Sequence, residues 1–236
     1  TTVFESAFHS NQNLMICAPT GAGKTMVALL VMLRVIQEQM VSGKLDRDFK
    51  IIFVAPMKAL AAEMVTNFKK RLASFLIPVR ELTGDMQLTK REIAETNVIV
   101  TTPEKWDVVT RKGSGENDLV SKAKLIIIDE IHLLNDDRGP VIEAIVARTL
   151  RHEEMGSSHV RLVGLSATLP NYKDVAQFLH VDLDTGLKVF GANYRPVPLE
   201  QTFIGTNNDK KGQDALLDSL AFKELVANLE DGYQVM

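Results

Sequence analysis

Cysteine is almost absent from this chain, since Cys17 is the only one among 236 residues. One thiol excludes an internal disulfide and favours a reducing compartment. The first residues show no basic segment followed by an apolar one, so they do not resemble a secretory signal. No apolar run approaches the roughly 20 residues that a membrane helix needs. We therefore expect an intracellular domain that does not enter a membrane.

A surplus of basic charge is also missing. The 27 Lys and Arg residues face 30 Asp and Glu residues, which gives a net charge of −3. Small basic clusters occur at residues 69–71, 90–91 and 111–112, and each alone is typical of a solvated helix or loop face. The overall charge therefore does not indicate nucleic-acid binding, and such a function must be argued from motifs.

Apolar, β-branched runs alternate with helical patterns along the chain, which indicates βαβ units and a parallel sheet. Strands are predicted at residues 14–18, 51–55, 79–82, 98–101, 125–129 and 160–165, and helices at 24–39, 57–74, 89–95, 140–152 and 172–179. The predicted fold is α/β, with a mostly parallel central sheet flanked by helices on both faces. It covers residues 1–204. Residues 205–236 are predicted to form a linker, a helix at 214–229 and the truncated start of a second domain.

The strongest local motif is the segment Ala-Pro-Thr-Gly-Ala-Gly-Lys-Thr at residues 18–25, between a predicted strand and a predicted helix. Gly21 and Gly23 allow the backbone to turn its N–H groups towards phosphate oxygens. Lys24 can reach the β- and γ-phosphates, and the Thr25 hydroxyl can bind magnesium. The predicted cofactor-binding set is Thr20, Gly21, Ala22, Gly23, Lys24 and Thr25. Ala18 departs from the usual glycine, and the alternative is a glycine-rich turn without a ligand.

A second motif follows the predicted strand at residues 125–129. Two carboxylates and a histidine lie where ligands bind in open α/β sheets. Asp129 is placed to hold magnesium, Glu130 to polarise a water molecule, and His132 to sense the γ-phosphate. The alternative for an isolated Asp-Glu pair is a solvated strand end. The phosphate motif upstream favours the metal site, because it needs a carboxylate for its metal.

Three further segments follow strands of the same predicted sheet, at residues 56–63, 83–85 and 102–107. Each offers backbone N–H groups, a hydroxyl or a helix N-terminus, which can bind phosphates without a basic surface. Taken singly, each is more often a helix cap or a turn. Ser166 and Thr168 end another strand and could hydrogen-bond the carboxylate loop. Trp106 is expected in the core rather than as a platform for a base.

Taken in order, these motifs resemble those of superfamily-two DExH-box helicases, specifically the superkiller-like group whose members carry helicase cassettes in tandem. The resemblance covers nearly the whole chain. It is closest at residues 81–88, 102–112, 136–140 and 194–199. It implies a RecA-like fold, ATP and Mg²⁺ as cofactors, and 3′-to-5′ movement along a nucleic-acid strand.

The resemblance also implies a role for each matching residue. Lys24, Asp129, Glu130 and His132 would be catalytic, and Thr25 and Asp129 would hold the metal. Ser166 and Thr168 would couple hydrolysis to strand movement. The backbone of the nucleic-acid strand would be contacted by Pro56, Lys58, Thr83, Gly84, Thr102, Pro103 and Glu104.

The expected partners are single-stranded or duplex nucleic acid, RNA or DNA, and a second RecA-like domain that would begin near Gly232 and supply an arginine finger. The resemblance further implies a multiprotein complex, in the nucleus or the cytoplasm. An arginine finger is worth about 10³–10⁵ in rate, so this chain alone is expected to bind nucleotide but to hydrolyse it poorly. One alternative is a weak cassette that serves as a binding module. Another is a kinase or a GTPase, which lacks support because no guanine-reading motif is present.

Overall fold

The computed structural model describes residues 2–84, 88–111, 117–156, 159–205 and 213–235. The chain divides into two compact units, Thr1–Val197 and Pro198–Met236. The predicted linker falls almost entirely outside the described residues. No helix within them is long and apolar enough to cross a membrane.

Seven strands form one sheet in the first unit, in the order β5-β6-β4-β7-β8-β1-β9, and every neighbouring pair is parallel. The strands are β1 (Leu14–Cys17), β4 (Lys50–Val54), β5 (Val79–Leu82), β6 (Val98–Thr101), β7 (Ala123–Ile128), β8 (Arg161–Ser166) and β9 (Leu187–Val189). The short strands β2 (Met40–Val41) and β3 (Lys44–Leu45) pair separately as an antiparallel hairpin. The predicted α/β class with a parallel sheet is confirmed.

Helices connect most of these strands. They are α1 (Phe4–Phe8), α2 (Lys24–Glu38), α3 (Lys58–Leu72), α4 (Lys90–Glu95), α5 (Pro103–Arg111), α6 (Asn117–Ser121), α7 (Gly139–Glu154) and α8 (Tyr172–Phe178) in the first unit, and α9 (Gln213–Glu230) in the second. Helix α4 begins with a capping box, in which the Thr89 hydroxyl accepts from the Glu92 amide and the Glu92 side chain accepts from the Thr89 amide.

Successive side chains of a strand point to opposite faces of the sheet. Both faces are buried here, because each one packs against helices. In β4, Ile51 and Phe53 pack into one apolar cluster with α2 and α3. Ile52 and Val54 pack into another cluster with α5, α7 and α8. Trp106 on α5 is completely buried in the second cluster, so the prediction that it belongs to the core is confirmed. Continuous apolar strands are therefore the expected pattern for this sheet.

The sequence patterns missed five short elements: α1, α6, β9 and the two strands of the hairpin β2–β3. They are two to five residues long, which is too short for a hydrophobic period to be visible. The start of a second domain near Gly232 stays a prediction, and residues 233–235 form no strand. A strand needs a partner for its backbone groups, and none of the described residues pairs with this segment.

Core packing between α3 and β4 gives a test of the fold. Phe68 is fully buried, and its ring meets that of Phe53 edge-on at a centroid distance of 5.1 Å. We expect Phe68→Ala to lower the free energy of unfolding by about 3–5 kcal/mol, because it leaves a cavity in a packed core. Phe75→Ala is the matched control, since that ring is 48% exposed just beyond the same helix; it should cost about 0.5 kcal/mol or less. Urea unfolding followed by circular dichroism measures both, and equal losses would contradict the packing described here.

Candidate nucleotide and nucleic-acid site

The predicted nucleotide motifs lie at the carboxyl ends of three neighbouring strands. Strand β8 runs between β1 and β7, so the turn after β1 and Asp129 after β7 are separated by one strand. Cys17 in β1 lies opposite Ser166 in β8. Because all three strands are parallel, the phosphate motif, the Ser166 segment and the carboxylates share one edge of the sheet.

The loop between β1 and α2 has the backbone that the glycines predict. Gly21 has φ +83° and Gly23 has φ +96°, both in the left-handed region that favours glycine. A Cβ at Gly21 would also lie 3.2 Å from the ring of Pro196. Ala18 is not among the residues with positive φ, so its side chain causes no strain. The departure from the usual glycine therefore leaves the loop's geometry intact.

The Lys24 ammonium folds back over this loop. It donates to the carbonyl oxygens of Ala18 at 3.0 Å and Pro19 at 3.4 Å. None of the ion pairs among the described residues involves Lys24. Among the described residues, its ammonium group therefore donates hydrogen bonds to neutral carbonyl groups and makes no direct ion pair. An anionic phosphate oxygen would be a stronger acceptor for it, because hydrogen bonds between charged partners are roughly twice as strong.

The Asp129 carboxyl group lies close enough to Lys24 to feel its charge. Burial, and to a smaller extent the neighbouring Glu130 carboxylate, raises the pKa of Asp129 to about 6. The Glu130 amide, which donates to Asp129 at 3.0 Å, and the Lys24 ammonium both act to lower the pKa. The Asp129 amide also donates to the Val54 carbonyl at 2.9 Å, which fixes the turn to strand β4. A divalent cation here would relieve the cost of the buried negative charge.

The donor set fits Mg²⁺ held together with a nucleotide. No group of three or more His, Cys, Asp or Glu side chains in the described ranges could hold a metal by itself. Magnesium usually takes one or two carboxylates and completes its shell with phosphates and water. Asp129 and the Thr25 hydroxyl offer such a partial set. The Ser166 hydroxyl, at the end of β8, is fully buried and has no hydrogen-bond partner among the described residues. It can therefore form a hydrogen bond with an additional ligand or with a side chain that shifts towards it.

Glu130 and His132 occupy a constrained turn. Glu130 has φ +51° and ψ +45°, a left-handed conformation that costs a non-glycine residue roughly 1–2 kcal/mol. His132 Nδ1 lies 3.3 Å from a Glu130 carboxylate oxygen and accepts from the Ala167 amide, also at 3.3 Å. One ring nitrogen cannot accept from the amide and donate to the carboxylate at once, so these two hydrogen bonds exclude each other. His132 therefore joins the carboxylate turn to the segment between Ser166 and Thr168.

A cavity of about 600 Å³ opens beside the phosphate loop. Its walls include the aromatic residues Phe4, Phe190 and Tyr194 together with Lys24. Phe190 and Tyr194 stack edge-on at 4.8 Å. Sequence reasoning missed this wall, because α1 and β9 were not predicted. A cavity of about 680 Å³ lies at the opposite edge, lined by Asn11, Glu153 and His159, and contains none of the motif residues. Size alone therefore does not identify the site.

The segments predicted to contact nucleic acid follow β4, β5 and β6, which are neighbours in the other half of the same edge. Lys58, Gly84 and Glu104 are exposed there. The Lys58 ammonium lies 3.6 Å from the position of a Cβ at Gly84, so two of the segments meet. The side chains of Pro56, Thr83, Thr102 and Pro103 are buried. The Thr83 hydroxyl donates to Glu81 at 2.8 Å and holds the loop instead of facing solvent. Asp85 lies outside the described residues.

Sequence reasoning also missed a role for Arg138. Its guanidinium donates to the carbonyl of Pro56 and lies 3.3 Å from the Glu104 carboxylate. It thus contacts two of the predicted strand-contact segments. The resemblance of residues 136–140 to the family pattern was the only signal in the sequence, and it gave no partner for the arginine.

A comparison with known proteins indicates the family of this chain. The model of the family described as DEAD/DEAH box helicase matches residues 1–175. The chain is 54% identical to the RQC trigger complex helicase SLH1 of Saccharomyces cerevisiae and 53% identical to the DExH-box ATP-dependent RNA helicase DExH14 of Arabidopsis thaliana. It is 55% identical to activating signal cointegrator 1 complex subunit 3 of Gallus gallus. Each match covers 99% of this chain but only 11–12% of the relative. The expected resemblance to the superkiller-like helicases is confirmed.

Solved structures support the fold alone. The DUF1998 helicase MrfA in a crystal structure with DNA gives a TM-score of 0.65 at 20% identity, over 80% of this chain and 26% of that chain. The same protein with DNA and AMPPNP also gives 0.65, at 21% identity, over 84% of this chain and 27% of that chain.

The raised pKa of Asp129 predicts how stability depends on pH. In the unfolded chain the pKa is about 3.9, so the native state holds the proton more strongly and loses stability as the pH rises from about 4 through about 6. We expect the isosteric Asp129→Asn to raise the melting temperature without nucleotide at neutral pH, and the gain to fade towards about pH 4. Asp136→Asn, an exposed carboxylate in the next turn, is the control and should change little. A gain for Asp129→Asn that is equal at all pH values would contradict the burial of this charge.

Proposed function

Because this chain belongs to the DEAD/DEAH box helicase family, we propose that it is the ATP-binding motor domain of a nucleic-acid helicase. The observation that carries the proposal is that Lys24 and Asp129 lie at the carboxyl edge of one parallel sheet, near enough for the Lys24 charge to lower the pKa of Asp129. In the longer protein, this domain would bind Mg-ATP and the backbone of one strand. Hydrolysis would be coupled to 3′-to-5′ movement and duplex unwinding.

The nucleotide would lie across the N-terminus of α2. The amides of residues 20–25 would surround the phosphates, and Lys24 would exchange its two carbonyl contacts for phosphate oxygens. The base would lie in the cavity beside Phe4, Phe190 and Tyr194, whose apolar rings can bury one of its faces. Thr25 and Asp129 would hold Mg²⁺, which when bound neutralises charge on the phosphate oxygens.

Glu130 would act as the general base. Its backbone is held by the left-handed turn, so its carboxylate is directed by the fold rather than by a flexible loop. It would orient a water molecule and accept its proton as the water oxygen bonds to the γ-phosphorus and the bond from that phosphorus to the departing ADP breaks. Asp129 would serve as the metal ligand, and the hydrogen bond from the Glu130 amide would hold its carboxylate in position.

His132 and the Ser166–Thr168 segment would couple ATP hydrolysis to movement of the nucleic-acid strand. Between the two hydrogen bonds that exclude each other, His132 can hold either Glu130 or the Ala167 amide. A shift of the carboxylate during hydrolysis would change that choice and move the segment after β8. The Ser166 hydroxyl, which has no hydrogen-bond partner in the described part of the chain, ends the neighbouring strand β8 and can follow the shift.

Nucleic acid would bind along the ends of β4, β6 and β5. Lys58, Gly84 and Glu104 are exposed there, and the buried Thr83 and Thr102 would shape loops whose amides face the strand. One relative is named an RNA helicase and one structural neighbour is bound to DNA, so both nucleic acids are candidates. Two relatives are named after complexes, which supports a multiprotein assembly in the nucleus or the cytoplasm.

Nucleotide binding by the full chain is the first test. We expect Lys24→Ala to weaken Mg-ATP binding at least about 100-fold, since the phosphate loop at residues 20–25 loses its only charged donor. Lys173→Ala, an exposed lysine on α8, is the matched control. Isothermal titration with Mg-ATP and Mg-GTP measures the affinities. Lack of binding to the unmodified chain would favour a cassette that no longer uses nucleotide, and preference for GTP would favour a GTPase.

Hydrolysis is tested in the full-length yeast relative SLH1, with this chain in place of its matching segment. We expect Glu130→Gln to lower strand-stimulated ATP hydrolysis by about 10²–10⁴, the usual contribution of a general base, while Mg-ATP still binds. Glu154→Gln, exposed at the end of α7, is the control. The rate is followed by phosphate release, and unwinding by strand separation of RNA, DNA and hybrid duplexes. The chain by itself should hydrolyse ATP poorly. Strong hydrolysis by this chain alone, stimulated by a nucleic-acid strand, would contradict the proposed need for a second domain.

A further inference from the structure

We propose that Arg138 is a positioning residue that fixes the two strand-contact segments around Pro56 and Glu104 to the turn that carries the catalytic carboxylates. The inference rests on the proposed function and assigns to that function a residue that does not touch nucleotide. It concerns the junction between the two halves of the sheet edge, where β7 and β4 are neighbours.

The guanidinium makes two contacts at once. Its Nη1 donates to the carbonyl of Pro56, the residue that ends the turn after β4. Its Nε lies 3.3 Å from Oε1 of Glu104, in the first turn of α5 after β6. Pro56 is buried, so the carbonyl contact is the stronger of the two, because an exposed ion pair contributes little by itself. One side chain therefore sets the spacing between the two segments.

The backbone of Arg138 is itself fixed to the carboxylate turn. The residues after Glu130 form a 3-10 turn, Ile131–Asn135, and the amide of Gly139 donates to the Asp136 carbonyl at 2.8 Å. Gly139 packs so closely that a Cβ would lie 2.1 Å from the Leu134 carbonyl oxygen. A movement of the carboxylate turn thus carries the start of α7, and with it Arg138, in the same direction.

The geometry of arginine matters for this role. A guanidinium presents several donors in a fixed plane, so it can serve a carbonyl and a carboxylate in different directions. The ammonium of a lysine is a single point and would hold one partner and release the other. A residue that merely attracts phosphate would tolerate lysine, because either cation supplies the charge. The two roles therefore give opposite results for Arg138→Lys.

The test measures binding of the full chain to fluorescent 20-nucleotide single strands of RNA and DNA by anisotropy, at several salt concentrations, alongside Mg-ATP binding. For Arg138→Ala, we expect the ratio of strand affinity to Mg-ATP affinity to fall about tenfold, the usual effect of losing a hydrogen bond to a charged group. Arg138→Lys, which holds only one of the two partners, should restore no more than part of that loss. The salt dependence of binding should keep the slope of the unmodified chain, because no phosphate contact is removed. Arg151→Ala is the matched control, an exposed arginine near the other end of α7.

Two results would overturn the inference while leaving the proposed function standing. One is strand affinity unchanged by Arg138→Ala. The other is rescue by Arg138→Lys with a salt slope that drops by about 0.7 in Arg138→Ala, which is the loss of one direct phosphate contact on a single strand. A parallel loss of strand and Mg-ATP affinity would mean that the variant disturbs the fold generally, and this too counts against a positioning role. If the unmodified chain binds no strand, the proposed function fails and this inference fails with it.

Discussion

The approach of the Lys24 ammonium to the Asp129 carboxylate is the constraint on which the rest of the site depends. The two groups come from strands separated by β8, and only a parallel order brings both to the same edge. Each is costly as it stands: the carboxylate is partly buried, which raises its pKa to about 6, and the ammonium donates only to carbonyl groups among the described residues. A ligand with phosphates and a divalent cation satisfies both at once.

The proposed function divides the same edge into two halves. The residues proposed to bind nucleotide follow β1, β8 and β7, and the segments proposed to contact nucleic acid follow β4, β6 and β5. The halves meet where the Asp129 amide donates to the carbonyl of Val54, the last residue of β4. His132 connects the carboxylate turn to the segment after β8, and Arg138 connects it to the segments after β4 and β6. The turn after β7 is thus the point from which motion can reach both sides.

Much of this could be predicted from the residues because the motifs are local. The glycines of the phosphate loop and the Asp-Glu pair each follow an apolar strand. The carboxyl ends of parallel strands all lie at the same edge of the sheet. What escaped prediction depends on contacts between distant residues. Phe4 and Tyr194 are nearly the whole first unit apart in sequence, yet they line one cavity. Thr83 is polar and lies next to Gly84, but its hydroxyl is used internally by Glu81.

The backbone of Glu130 has a consequence for how such a chain can change over time. A left-handed residue other than glycine is a standing cost to the folded state, and asparagine or glycine would reduce it. Variants recovered in a screen for thermal tolerance alone should therefore accumulate at this position. Under the proposed function, they would be more stable and would hydrolyse ATP poorly, so one residue would set stability against turnover.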